Sequence, residues 1–316
     1  MRGGGDYLQI PVEVARRGVA DRSHAPPAIH LVRSGAGLSL CALLFAATLN
    51  TAFSADLGTP QTGTSDSPAA PATSSLGSGW VATLKANAGI LPDWEGAKSY
   101  SFLAYPSVSL VRADALEWSS PDDGLDFSVY DAHGFSIGPV AAYELGRYRN
   151  DDPRRLFGIH DVPWTIEPGV FAEFWAIPNT FRARLEIRHG LGSGNGFVAD
   201  AAADYLLHFG PTTFALGPRL SLGDQEYMRR QFGVTLTDSL QNGSVTPFKP
   251  DGGLKSAGLA TSVTYDFSKQ WSAVAYGGYD RLVADSGKSP LVKKLGSPDQ
   301  FHAGLTVNYS FSLSGL

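Results

Sequence analysis

The sequence predicts an all-β, antiparallel transmembrane β-barrel of the outer-membrane type, with about twelve strands. Three observations predict it. Composition is the first: over 316 residues, charged side chains are 17 %, aromatics 11 % and glycines number 36. A mean hydropathy of −0.07 excludes a polytopic helical membrane protein. The net charge of −5 offers no general attraction to nucleic acid. The second observation is a dominant period of two from Trp80 onward, where Phe301, Ala303, Leu305, Val307, Tyr309 and Phe311 alternate with His302, Gly304, Thr306, Asn308 and Ser310. The third is a regular exchange of short and long connections, as when tight turns lie on the periplasmic side and longer loops face outward.

In chain order, the apolar stretch Ala36–Phe53 follows Arg33, and Ala52-Phe53-Ser54 stands before Ala55. It reads as a secretory signal covering residues 1–54, cut between Ser54 and Ala55. The polar Thr48 and Asn50 leave it too short to span a membrane as a helix. Leu40 is too large to precede an acylated Cys41, the only cysteine, so a lipoprotein is not expected. The polar leader 1–30 favours a true start near Leu31 or Val32. Residues 55–78, rich in Gly, Pro, Ser and Thr, cannot bury enough surface to fold and form a disordered tail.

The barrel is expected over residues 79–311, followed by a short tail at 312–316. Its strands read 80–90, 99–112, 115–119, 124–131, 133–147, 163–175, 180–190, 196–209, 212–223, 256–268, 271–283 and 299–311. Fusing the third and fourth would break the long–short exchange, which favours twelve. A large secreted β-sandwich is the alternative, but it requires neither that exchange nor an aromatic last strand. The longest connection, 224–255, has room for a short helix at Gln225–Phe232 and a further turn at Thr237–Leu240.

Several blocks resemble one known family. They are Leu91-Pro92-Asp93-Trp94-Glu95-Gly96, the segment Arg182–Asp200 with its Gly192–Gly196 turn, Glu226-Tyr227-Met228 through Thr235, and Ser289-Pro290-Leu291-Val292 continuing to Gly296-Ser297-Pro298-Asp299-Gln300-Phe301. In this order and over the whole barrel they resemble the MipA/OmpV family. That resemblance implies an outer-membrane protein of a Gram-negative bacterium, in contact with outer-membrane lipid and lipopolysaccharide. It also implies a scaffold role, because the family takes its name from a member that interacts with a lytic transglycosylase. Murein hydrolases or synthases are the implied protein partners.

Alternation also assigns the interior. Arg182, Arg184, Glu186 and Arg188 share one face of strand 180–190; Glu167 and Glu173 face inward from 163–175, and Asp200 and Asp204 from 196–209. This band of opposed charges reads either as a selectivity zone or as an internal plug, and so many charges in a small bore favour the plug. With Ala176–Asn179 as a tight turn, Glu173 is expected opposite Arg182 and Glu167 opposite Arg188. Tyr227, Met228, Arg229, Arg230 and Phe232 form the candidate partner-contacting loop.

Catalytic chemistry finds little support. His189 falls on the lipid-facing side near Ser193, yet Ser193 stands in a glycine-rich loop without a second partner. The other six histidines show no metal-ligand spacing. Neither a cofactor nor a metal is expected. The leading expectation is a non-enzymatic barrel that scaffolds envelope enzymes; a small passive channel and a surface adhesin are the alternatives.

Overall fold

The computed structural model describes residues 80–112, 118–192 and 195–313, so the expected signal and tail lie outside the described residues. Long strands dominate: β1 (Trp80–Pro92), β2 (Tyr100–Arg112), β5 (Phe135–Glu144), β6 (Thr165–Ile177), β7 (Phe181–His189), β8 (Phe197–Phe209), β9 (Thr212–Gly223), β10 (Gly253–Asp266), β11 (Trp271–Leu282) and β12 (Asp299–Leu313). Two short pieces, β3 (Leu125–Asp126) and β4 (Tyr130–Ala132), complete the set. All pairings are antiparallel, and the sheet runs β2-β1-β12-β11-β10-β9-β8-β7-β6-β5-β3, with β4 also on β5. The first and last strands therefore pair through β1, and the sheet curls into a nearly closed barrel.

The strands form where side chains alternate, because each face of the wall meets a different solvent. Phe102 is 67 % and Leu305 59 % exposed on the outer face, which is the lipid-facing belt. Ser262 and Thr306, one residue out of phase with such positions, are buried inside at 4 % and 7 % exposure.

The third and fourth expected strands need correction. Trp118 and Ser119 are irregular, and 115–117 lie outside the described residues. The expected strand 124–131 is broken into β3 and β4, with the register on β5 shifting by one residue between Asp126 and Tyr130. Pro139 of β5 lacks an N–H for the ladder. Its neighbour Gly138 lies so close to the Phe127 carbonyl that a Cβ there would fall 1.9 Å from the oxygen. A bulge is the geometric result.

Tight turns close one end of the barrel, at His133-Gly134, Pro178–Thr180, Gly210-Pro211 and 267–270. This is the periplasmic end. At the other end, longer connections pack together into a lid. Trp94, Ala97, Leu156, Ile159, Val234, Val245, Leu291 and Leu295 form its apolar core. The connection after β9 supplies two helices, α1 (Gln225–Phe232) and α2 (Leu236–Asn242), as the sequence expects. Asp224 caps α1 by accepting from the Tyr227 N–H at 2.8 Å. Thr235 and Asp238 form a capping box on α2, and Gly243 ends it at φ 72°.

Candidate functional site

The inner face of the barrel carries the chemistry. Strand alternation turns Arg182, Arg184, Glu186 and Arg188 of β7 inward, and the partners arrive from four directions. Arg182, 1 % exposed, donates to Asp123 at 2.7 Å, to Glu173 at 3.1 Å and to Asp204 at 2.8 Å. Its guanidinium also lies 4.8 Å from the centre of the Trp118 ring. Arg184 reaches Asp126 at 2.6 Å, Glu186 at 2.9 Å and Glu173 at 3.1 Å, and lies over Phe171. Arg188 pairs with Glu186 and Asp200, and approaches Glu167 at 3.5 Å without a hydrogen bond.

All eight residues of the expected lumenal band thus face inward, and each lies within ion-pair reach of another member. The expected register is corrected by two positions: Glu173 stands opposite Arg184, and Arg182 opposite Trp175. Gly169, rather than Glu167, faces Arg188. The cause is local. The turn is Pro178–Thr180 with Asn179 at φ 54°, and a bulge separates Trp175 from Ile177. A shift of two preserves parity, so every charge remains inside.

Sequence reasoning missed four of the twelve charged residues of the network. Ser120–Asp126 descends through the lumen beside β5 and brings Asp122, Asp123 and Asp126 against the arginines. Arg219 of β9 joins Asp122 at 2.6 Å to Asp204 at 2.8 Å. Arg219 was legible, since it alternates with Leu216, Pro218 and Leu220; Asp122 and Asp123 lie in a connection between expected strands, and Asp126 lies in the expected strand 124–131. Trp118 packs with Trp175, Leu206 and Ala215, adding an apolar layer to the charged one. Together they form a floor across the bore.

A second cluster lies beneath the lid. Lys255 Nζ is 2.8 Å from Glu95 and 3.2 Å from the Tyr227 hydroxyl, which in turn donates to Glu95 at 3.3 Å. Burial first, and then nearby carboxylates, push the Tyr227 hydroxyl well above its usual pKa, so it stays a donor. Gln231 donates to Glu144 at 3.2 Å.

The expected partner-contacting loop is also corrected. Tyr227, Met228 and Phe232 are buried, the last two packed with Leu282 and Val292. Of the five residues, Arg229 is exposed and Arg230 half-exposed, the latter donating to the Pro163 carbonyl. Amphipathic α1 puts its apolar face into the lid because the barrel mouth beneath offers the matching surface. His189 sits at the rim with its ring against Phe197, 4.5 Å between centroids. Ser193 lies outside the described residues.

Between floor and lid lies a half-open cavity of about 550 Å³, lined by residues that include Glu95, Glu144, Arg188, Arg219, Lys255 and Asp280. Among the described residues, no group of three or more His, Cys, Asp and Glu side chains is placed to hold a metal ion.

A family model described as MltA-interacting protein MipA matches residues 84–311. Among curated proteins, none matches the chain. Solved structures with a similar course include the NanC porin, at 10 % identity and TM-score 0.39, covering 72 % of this chain and 98 % of that one. An outer membrane channel from Pseudomonas putida F1 aligns at 11 % identity and TM-score 0.40, covering 77 % and 99 %. Neisserial surface protein A aligns at 10 % identity and TM-score 0.25, covering 75 % and 98 %.

Proposed function

Because the chain belongs to the MltA-interacting protein MipA family, we propose that it is a non-enzymatic outer-membrane scaffold for a peptidoglycan-remodelling enzyme. It is an outer-membrane β-barrel of a Gram-negative bacterium. The family's name points to a protein partner, and a murein hydrolase or synthase works on the periplasmic side. The observation that carries the reading is the crowded lumen. A floor of interlocked Arg, Asp and Glu lies below, and a lid with its own apolar core lies above. Such a barrel serves better as an anchor than as a pore.

The partner surface follows from the same geometry. Tyr227, Met228 and Phe232 are buried in the lid, at the end of the barrel opposite the tight turns, so they cannot receive a periplasmic enzyme. The short turns at the opposite end, around His133-Gly134, Pro178–Thr180 and 267–270, form the docking face together with whatever chain extends from Trp80.

Two measurements test the reading. Purified barrel in planar bilayers should give no stable conductance steps, and tagged barrel should retain a lytic transglycosylase from detergent extracts. Retention should fail when the turn residues Pro178–Thr180 are replaced, yet survive Arg229→Ala. Steady conductance with no retained enzyme would replace the scaffold by a small channel.

A further inference from the structure

Trp118–Gly124 crosses the lumen as a strap and runs into β3, a two-residue rung on β5. Among the described residues, the main chain of the strap joins no ladder of the wall. The Asp123 N–H bonds to the Ser120 carbonyl within the strap, and the Gly124 N–H donates to the Glu186 carboxylate at 3.2 Å. Side chains hold it in place. Asp123 accepts from Arg182 at 2.7 Å and lies 3.7 Å from Arg184, while Asp122 accepts from Arg219 at 2.6 Å. Arg219 also donates to the Ser120 hydroxyl at 3.1 Å. Trp118 adds an apolar anchor against Trp175, Leu206 and Ala215.

The wall does not need the strap to pair its charges. Without it, Arg182 keeps Glu173 and Asp204, and Arg184 keeps Glu173 and Glu186. Arg188 keeps Glu186 and Asp200, and Arg219 keeps Asp204. Glu167 beside Arg188 completes five wall carboxylates. Lys85 of β1, drawn by Asp126 and Asp123, completes five wall cations. Asp122 and Asp123 are thus surplus anions in a band that is already neutral. Their attraction to the arginines is offset by repulsion from the wall carboxylates, so a small difference between large terms seats the strap. There is also room for it to move. Pro121, Asp122 and Asp123 line the half-open chamber of about 550 Å³ that lies between floor and lid.

We infer that the strap is a displaceable plug: seated on Arg182, Arg184 and Arg219 it closes the bore, and released from them it swings into the chamber and leaves a passage for small ions. The size of the wall agrees. About eight strands give an interior that side chains alone fill, whereas eleven places leave a bore that needs a further segment to block it. The plug is independent of what docks at the periplasmic turns, because the wall keeps its own pairs in either position.

Planar-bilayer recording on the full barrel tests the plug, with unheated gel mobility showing that each variant is folded. The wild-type barrel at low salt should stay closed. Asp122→Asn combined with Asp123→Asn should give discrete openings, with total open time raised at least tenfold. Asp280→Asn removes an inward carboxylate paired with His302 rather than with the strap, and should stay as closed as the wild type. Should the double variant fail to fold, Asp122→Asn alone, which frees only Arg219, should still raise open time several-fold. A wild-type barrel that conducts steadily, a folded strap variant that stays closed, or Asp280→Asn opening as far as the strap variant overturns the plug. Enzyme retention reports on the scaffold separately: a retained enzyme on a barrel whose strap variants never open removes the plug and leaves the scaffold.

Discussion

Arg182 shows how much a single side chain holds. At 1 % exposure it bridges the floor segment, β6 and β8 through Asp123, Glu173 and Asp204. A buried ion pair is not necessarily a net gain over apolar packing, but removing one partner strands the other's charge. Arg182→Ala should therefore cost about 3–5 kcal/mol in urea unfolding from micelles. Adding Asp204→Asn to that variant should recover part of the loss, because Asp123, Glu173 and Asp204 then share only Arg184 and Arg219 and one of the surplus negative charges disappears. If the double variant is no more stable than the single one, the bore is wet enough to screen these charges. A second residue sets a pH limit on the lid. Burial opposes ionisation of Asp238, but the Thr235 N–H and hydroxyl and the His160 ring and N–H overcome it and hold its pKa below the usual carboxylate value. A carboxylate depressed in the folded state contributes stability above its unfolded pKa of about 3.9, and this is lost as pH falls through the lower folded value. Lid protection against protease, full at pH 6, should decline below about pH 4, and Asp238→Asn should flatten that decline.

At the scale of elements, strands were legible because each has to satisfy lipid on one side and the lumen on the other. That constraint writes period two into residues 253–266 or 299–313 regardless of what the barrel does. It also made the parity of all eight lumenal charges readable. Register between strands was not readable, since the later turn at Pro178–Thr180 and the bulge between Trp175 and Ile177 together move Glu173 from Arg182 to Arg184 without altering any alternation. Nor was the floor: 118–124 folds by satisfying arginines contributed by distant strands, and no local pattern records such partners. The lid helices were readable as helices but not as a lid, because the apolar face of α1 finds its cover on other loops and on β11. The lipid face yields a test at this scale. Leu305→Arg, mid-strand on the outer surface, should cost about 2–4 kcal/mol if it lies near the bilayer midplane. Asn308→Lys, on the lumenal face of the same strand, should cost clearly less. A larger penalty for Asn308→Lys than for Leu305→Arg in refolding from urea would mean that the strand faces have been assigned the wrong way round.

For the molecule as a whole, the order of the sheet has a consequence in counting. β3 and β4 occupy one place beside β5, so the described wall has eleven places, and neighbours all run in opposite directions. An odd run of alternating directions ends as it began: β2 and β3 both point toward the periplasm. Two such edges cannot zip together by the antiparallel pattern used everywhere else in the wall. A ring closes in that pattern only when one further strand of opposite sense lies between them. Within a bilayer this matters, because an unpaired N–H or C=O in hydrocarbon costs several kcal/mol. The outer row of β2 is thus the place where a strand is owed. Hydrogen exchange on the barrel in micelles should divide the amides of β2 into two alternating classes, slow where they bond to β1 and fast where they face the seam, while β1, flanked by β2 and β12, should be slow throughout. Uniform protection along β2 would mean that a strand already fills the slot and that the ring is even after all.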